Sequence, residues 1–343
     1  MTNGQRPTKQ RWGKHLFGGG ITLLCLFVFF RQVDFSEVLV AFKQFEWAYL
    51  ILGVASLALG YALRIIRWSL MLKATGADAT FGNCSAPFLG SIALNNLLPL
   101  RIGDVVRALV FPKSMGITKT TATSSLIVER LIDLMTLLAS LAIGLLAIQA
   151  IEIPPELKAT ALSLATIGGV ALSLGFLFSR ALGDFFIGFA AKAGGSMALS
   201  RIYGALGGLL HGFNVMSRPK VLLTMLIISM LVWVGEAGLF YFVLLGAGIE
   251  GSPLVALLVM SVATLSTLVP SSPGYVGPFH LAAFTAISLV GGTAAQAGSY
   301  AVIVHLALWL PTTLAGALAI WIRPALFRAA KSRSLTSINK VET

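Results

Sequence analysis

Charge is what this chain has least of: Asp, Glu, Lys and Arg together make up 11% of it, against 57% apolar residues. A soluble domain carries about a quarter charged residues, so this chain has no solvated surface to offer water. Cysteine is nearly absent. Cys25 and Cys84 show neither a pairing pattern nor metal-ligand spacing, and both are expected as small apolar fillers. With only four histidines, no metal and no cofactor is expected. The net charge of +12 does not announce a nucleic-acid partner, because the basic residues are scattered between apolar runs and form no stripe. Orientation in an anionic membrane accounts for them.

What is present is a series of apolar runs of roughly 17–25 residues, the length that crosses a bilayer. The expected class is an all-α polytopic membrane protein with about six transmembrane helices and two re-entrant helical hairpins. Spans are expected near 16–30, 47–63, 120–149, 159–179, 221–245 and 300–321. The first is expected to be retained, because Phe29-Phe30-Arg31 ends it without a small-residue cleavage site. Trp47 and Trp68 are expected at opposite interfaces, where indole rings settle. Residues 151–158, with Pro154-Pro155, read as a turn, and the glycine-rich segment 180–219 as an interfacial amphipathic helix. Arg323, Arg328, Lys331, Arg333 and Lys340 form a basic tail.

Two stretches interrupt this pattern. Leu98-Pro99-Leu100-Arg101-Ile102-Gly103-Asp104-Val105-Val106-Arg107 places a proline, a glycine, an acid and two arginines inside an apolar run. Val269-Pro270-Ser271-Ser272-Pro273-Gly274-Tyr275-Val276-Gly277 echoes it, with Pro270 standing 171 residues after Pro99 in a chain of 343. Proline removes a helical hydrogen bond and glycine flexes, so both helices should break there. Broken backbone at membrane depth is tolerated only against protein or a watery cavity. The apolar run before Pro99 is also too short to cross, and it holds Asn95 and Asn96. Two broken-helix tips facing one site are therefore expected.

With both termini placed in the cytoplasm, the external segments hold only Arg31, Lys43 and Lys158 of the 25 Lys and Arg, and Arg130 lies within a span. The opposite orientation would break the positive-inside rule. Within one membrane domain, 1–343, the halves at about 47–149 and 220–322 then read as inverted repeats, a transporter signature.

Ionisable groups inside spans cost roughly 2.5–3.5 kcal/mol each on insertion scales and usually meet one another or a cavity. Arg64, Arg67, Arg101, Arg107 and Arg130 stand near Asp104, Glu129 and Asp133, a surplus of two arginines. As plain pairs, Asp104 would neutralise Arg107, and Glu129 or Asp133 would neutralise Arg64 or Arg101. Snorkelling to the interface is the expected role of Arg64 and Arg67. As a set, guanidinium forks and free N–H groups at a resumed helix bind phosphate. Asn96, Pro99, Gly103, Pro270, Ser271, Ser272, Pro273, Gly274 and Gly277 complete the candidate binding residues. Glu236 is added as a lone carboxylate suited to bonding between helices.

Arg64-Ile65-Ile66-Arg67-Trp68, the Asn96–Ala108 stretch, Glu129-Arg130-Leu131-Ile132-Asp133 and Pro270–Gly277 occur in the order found in the flippase-like family named after the transmembrane region of lysylphosphatidylglycerol synthase. The chain resembles that family over roughly 47–321. It departs from the family at Leu100 and Tyr275, where glycine is frequent, and at Pro278-Phe279-His280, where glutamate often follows. The resemblance implies movement of charged or glycosylated lipids between leaflets. It does not imply aminoacyl transfer, which needs a large soluble domain.

The leading expectation is a plasma-membrane lipid translocase without catalytic residues, with Arg101 and Arg107 holding phosphate and Asp104 and Glu129 orienting them. Its partners would be the bilayer and a lipid with an anionic or glycosylated headgroup. A second copy of the chain or a lipid-modifying enzyme remains open as a further partner. The alternatives are a polyprenyl-diphosphate phosphatase-like enzyme and a non-transporting accessory subunit. Against the enzyme, no acid stands near His280 or His305 in sequence to orient a base.

Overall fold

The computed structural model describes residues 9–147, 155–192, 197–216 and 218–324. Among these residues the protein is all-helical, with twelve α-helices and no strand. Four helices are long and apolar enough to cross a membrane, through Trp47–Ala74, Lys158–Gly175, Pro219–Gly246 and Ala294–Ile322. The apolar part of the first helix, Gly18–Arg31, is shorter.

α1 (Lys9–Arg31) is followed by α2 (Phe35–Gln44), a short helix that the charge pattern alone does not announce. Asp34 caps α2 by accepting the Ser36 amide at 2.8 Å. α3 (Trp47–Ala74) then packs along α9 (Pro219–Gly246) in antiparallel register. The Glu46 amide donates to the Gly246 carbonyl at 2.9 Å, and Arg67 reaches Ser229 at 2.6 Å. Midway, a Cβ on Gly235 would lie 2.9 Å from the Gly60 Cα, so the two backbones touch across a glycine pair. Small residues at a crossing are how membrane helices gain close contact.

α4 (Phe81–Leu97) and α5 (Ile102–Leu109) form a hairpin packed against itself, as do α10 (Pro253–Ser266) and α11 (Pro278–Leu289). α4 lies along α12 (Ala294–Ile322), and α10 lies along α6 (Lys119–Ala147). Proline opens α9, α10 and α11, where its missing N–H costs nothing.

Both breaks fall where the prolines place them. Leu98 leaves the helical region ahead of Pro99 (φ −113°, ψ 147°), and Leu100 and Arg101 take left-handed backbone at φ 59° and 52°. Such conformations cost a side-chain-bearing residue roughly 1–2 kcal/mol each, so the packing around the tip must hold them. Gly103 serves a different purpose from the flexing expected of it. It sits inside α5, and a Cβ there would collide with the Ser91 carbonyl oxygen and approach the Asn95 side-chain oxygen at 2.7 Å. The missing side chain lets α5 close on α4.

Two expectations are corrected. Trp68 is not interfacial: it is fully buried, donates to the Ser125 hydroxyl at 3.1 Å and lies beside the Arg107 guanidinium. Residues 180–219 do not form one helix. The part to residue 192 continues α7 (Pro155–Lys192), and α8 (Met197–Met216) packs on α6 and α7, burying Phe213 and Met216. Residues 151–154 of the expected turn lie outside the described residues, as do Arg328, Lys331, Arg333 and Lys340 of the basic tail. Cys84 fills a buried apolar cluster with Trp68 and Phe88, as its isolation in sequence implies.

Replacing Gly103 by alanine should overpack the α4–α5 contact and destabilise the protein by roughly 1–3 kcal/mol or more. Gly82→Ala on the same hairpin, where a Cβ meets nothing within 4 Å, should leave stability nearly unchanged. Thermal unfolding of both variants in detergent measures the difference.

Candidate functional site

The two break segments touch each other, and a cavity of about 360 Å³ lies between them. Leu98, Pro99, Leu100 and Arg101 line one side, with Thr267 through Tyr275 on the other. The predicted Pro99, Arg101, Pro270, Ser271, Ser272, Pro273 and Gly274 therefore share one space. The Ser271 hydroxyl is buried in the protein without a hydrogen-bond partner among the described residues. Gly18 and Gly19 of α1 also line this cavity, which sequence reasoning missed. The Ser272 amide donates to the Thr22 hydroxyl at 2.9 Å, and a Cβ on Gly277 would lie 2.9 Å from the Thr22 carbonyl. α1 thus braces the second break, and Gly277 (φ 99°) is required there twice over, by conformation and by space.

A smaller chamber of about 140 Å³ adjoins the first. Asn95, Arg101, Thr267, Gly274 and Tyr275 line both and form the partition. Arg101 donates to the Thr267 hydroxyl at 3.2 Å, and its guanidinium stands 5.5 Å from the centre of the Tyr275 ring. Asn96 donates to the hydroxyls of Thr312 and Thr313 at 3.1 and 2.9 Å, tying the first tip to α12. His305 contacts the Gly274 carbonyl at 2.7 Å, and its ring centre lies 4.4 Å from that of His280. The two histidines back the second break without a carboxylate partner among the described residues.

The charged residues form one buried network. Asp133 takes Arg67 through both oxygens at 2.6 and 3.2 Å, a two-point pair, and lies 3.7 Å from Arg64. Glu236 holds Arg64 at 2.6 Å. Glu129 accepts from Arg107 and from Arg130, each at 2.9 Å. Asp104 is fixed by Asn95 in both directions at 3.0 Å and lies 3.9 Å from Arg107 and 3.7 Å from Arg130.

This arrangement changes the roles drawn from sequence. Arg64 and Arg67 do not snorkel; both are buried, Arg67 completely, and both are paired. Arg107 is 1% exposed and lines neither chamber, so it braces α5 on α6 and is not placed to meet a ligand. Asp104 and Glu129 orient Arg107 and Arg130, not Arg101. Glu236 joins the three expected acids, so the surplus of arginines is one. That one is Arg101, which alone of the five has no carboxylate within ion-pair distance among the described residues. Arg64, Arg130 and Glu236 reach the smaller chamber alongside it, with Tyr61 and Trp233. No cluster of three or more metal-binding side chains occurs among the described residues.

Residues 15–316 match the family described as the lysylphosphatidylglycerol synthase TM region. The chain belongs to that family. A relative, Glycosyltransferase AglD of Haloferax volcanii, is 24% identical over 315 residues, covering 83% of this chain and 50% of the relative. The chain thus spans about half the length of that relative. For a member of the lysylphosphatidylglycerol synthase TM family with helices of this length and apolarity, a place in the membrane follows. The motifs that carried the resemblance, around Arg64, Pro99, Glu129 and Pro270, are the ones that build the two chambers and the network behind them.

Removing Asp133 leaves Arg67 and Arg64 without a shared carboxylate. Asp133→Asn should cost roughly 3–5 kcal/mol, as breaking a buried pair does. Arg101→Ala, which breaks no ion pair, should shift the melting midpoint far less. Thermal unfolding in detergent compares the two.

Proposed function

We propose that this protein is a lipid translocase that moves a phosphate-bearing polar lipid between leaflets without altering it covalently. The observation that carries the reading is Arg101. Four of the five arginines are neutralised by the four acids, and the fifth sits in the partition between two chambers, where among the described residues it bonds to Thr267 and lies over Tyr275. Arg101 is half-buried and lines both chambers without an acid beside it, which leaves its guanidinium open to an anion, and guanidinium geometry favours phosphate. The Ser271 hydroxyl offers a further donor near the second tip.

The architecture we infer is six crossings, by α1, α3, α6, α7, α9 and α12, with α4–α5 and α10–α11 as re-entrant hairpins. α5, at eight residues, extends about 12 Å, well short of the ~30 Å hydrocarbon core. The repeats at about 47–149 and 220–322 would be inverted. Antiparallel α3 and α9 are equivalent helices under that relation, and the α4–α12 contact exchanges with α10–α6. Alternating access would come from rocking one repeat against the other. The protein would lie in the plasma membrane with both termini in the cytoplasm.

Purified protein in vesicles containing labelled phosphatidylglycerol should exchange the label between leaflets. Arg101→Ala should abolish exchange, and Arg101→Lys should restore it only in part, since an ammonium lacks the two-point fork. Undiminished exchange by Arg101→Ala would remove Arg101 from the site, absence of exchange by the unaltered protein would sink the reading, and phosphate release from a polyprenyl diphosphate would replace it with an enzyme.

Topology has its own test. Arg101 and Ser271 line one cavity, so labelling them does not separate the two sides of the membrane. Asp78→Cys after α3 and Glu250→Cys after α9 are both exposed, and in a chain lacking Cys25 and Cys84 they should label from opposite sides. Labelling of both from one side would overturn the inverted repeat.

A further inference from the structure

Tyr61 and Thr312 line two spaces at once: the smaller polar chamber, and a groove of about 240 Å³ between α3, α4 and α12. The α3 wall of the groove is a single stripe, Val54, Leu57, Ala58, Tyr61, Ala62 and Ile65, at helical spacing. Leu89 of α4 and Pro311 and Ala315 of α12 face it. The Thr312 hydroxyl is already engaged, donating to the Leu308 carbonyl at 2.8 Å and accepting from Asn96 at 3.1 Å. Apart from the hydroxyls of Tyr61 and Thr312, the side chains that line the groove are apolar. Its mouth is open to the surroundings of the helices, since Ala58 is exposed and Phe81 is 49% exposed. Elsewhere on the same helix, Leu52 and Leu59 project outward, so the alanines at 58 and 62 are what makes a recess.

We propose that this groove seats one hydrocarbon chain of the lipid whose phosphate occupies the chamber beside Arg101; the proposal rests on the translocase reading. Lipid tails are as apolar as leucine, so a chain gains no hydrophobic free energy by leaving the bilayer for this groove. The gain is geometric. A headgroup drawn to Arg101 remains covalently tied to chains that cannot enter a chamber lined by Arg64, Arg130 and Glu236. One lipid can satisfy both environments only where polar and apolar spaces share a wall one side chain thick, and Tyr61 with Thr312 is that wall. Tyr61 suits the boundary: its ring faces apolar neighbours, and the Arg64 guanidinium lies 5.5 Å from the ring centre.

The test uses the full chain in phosphatidylcholine vesicles doped with phosphatidylglycerol that carries a diazirine midway along one acyl chain. Irradiation and peptide mapping should place the label on the Ala58, Ala62 and Ala315 segments in preference to Leu52 and Leu59. Label spread evenly along α3, annular lipid only, would overturn the proposal. Ala62→Phe should fill the groove, remove the label and slow leaflet exchange about tenfold. It should keep the binding of chain-free glycerol phosphate, measured by calorimetry. Ala315→Leu serves the same purpose if Ala62→Phe fails to fold, and normal exchange by a folded groove-filling variant would overturn the proposal. Groove labelling that persists in vesicles where the unaltered protein exchanges no label between leaflets would instead support the chain seat and sink the translocase reading.

Discussion

An arginine held away from water must be matched by an acid, and in this protein that requirement ties together helices far apart in the chain. Asp133 on α6 takes Arg67 and lies near Arg64 on α3, while Glu236 on α9 takes Arg64. Glu129, also on α6, holds Arg107 of the short α5. Removing one member would leave a buried charge unpaired, which is far costlier than never having built the pair. The network fixes α3, α5, α6 and α9 in one arrangement. The tip that precedes α5 is thereby fixed too.

That rigidity explains how two strained turns persist. Leu100 and Arg101 are both left-handed without being glycine, and Tyr275 shares that backbone in the second break. Such residues need surroundings that over-determine them. Here the hold comes from Asn95 and Asp104 bonding each other across the first hairpin, from Asn96 anchored on α12, and from α1 pressed against Gly277. The outcome is that Arg101, spared from the network, is delivered to the partition between two chambers.

Much of the site was legible because its chemistry is local. Pro99 and Pro270 mark the two breaks together with their glycine and polar neighbours, whereas Pro87 and Pro311 lie inside α4 and α12 without ending them. The scarcity of charge marked each intramembrane ion as significant. What was misjudged depended on partners distant in sequence. Arg64 and Arg67 looked like interfacial residues because Glu236 lies 172 residues from Arg64, and nothing local says that α3 packs on α9. Arg107 reads in sequence as a ligand-binding twin of Arg101, but Glu129 claims it. Gly103 reads locally as a flexible point, but its task is close packing against Ser91. The glycines of α1 gave no signal as cavity wall, since small residues in an apolar run serve many ends.

By itself the sequence determined the membrane class, the helical composition, the position of both breaks and the set of charged residues. Each of these follows from hydrophobicity or backbone chemistry acting within a few residues. Only the tertiary structure decided which arginine is left over, because neutralisation is a property of pairs brought together by packing. It also decided that an apolar groove and a polar chamber share the wall of Tyr61 and Thr312, residues from opposite ends of the chain.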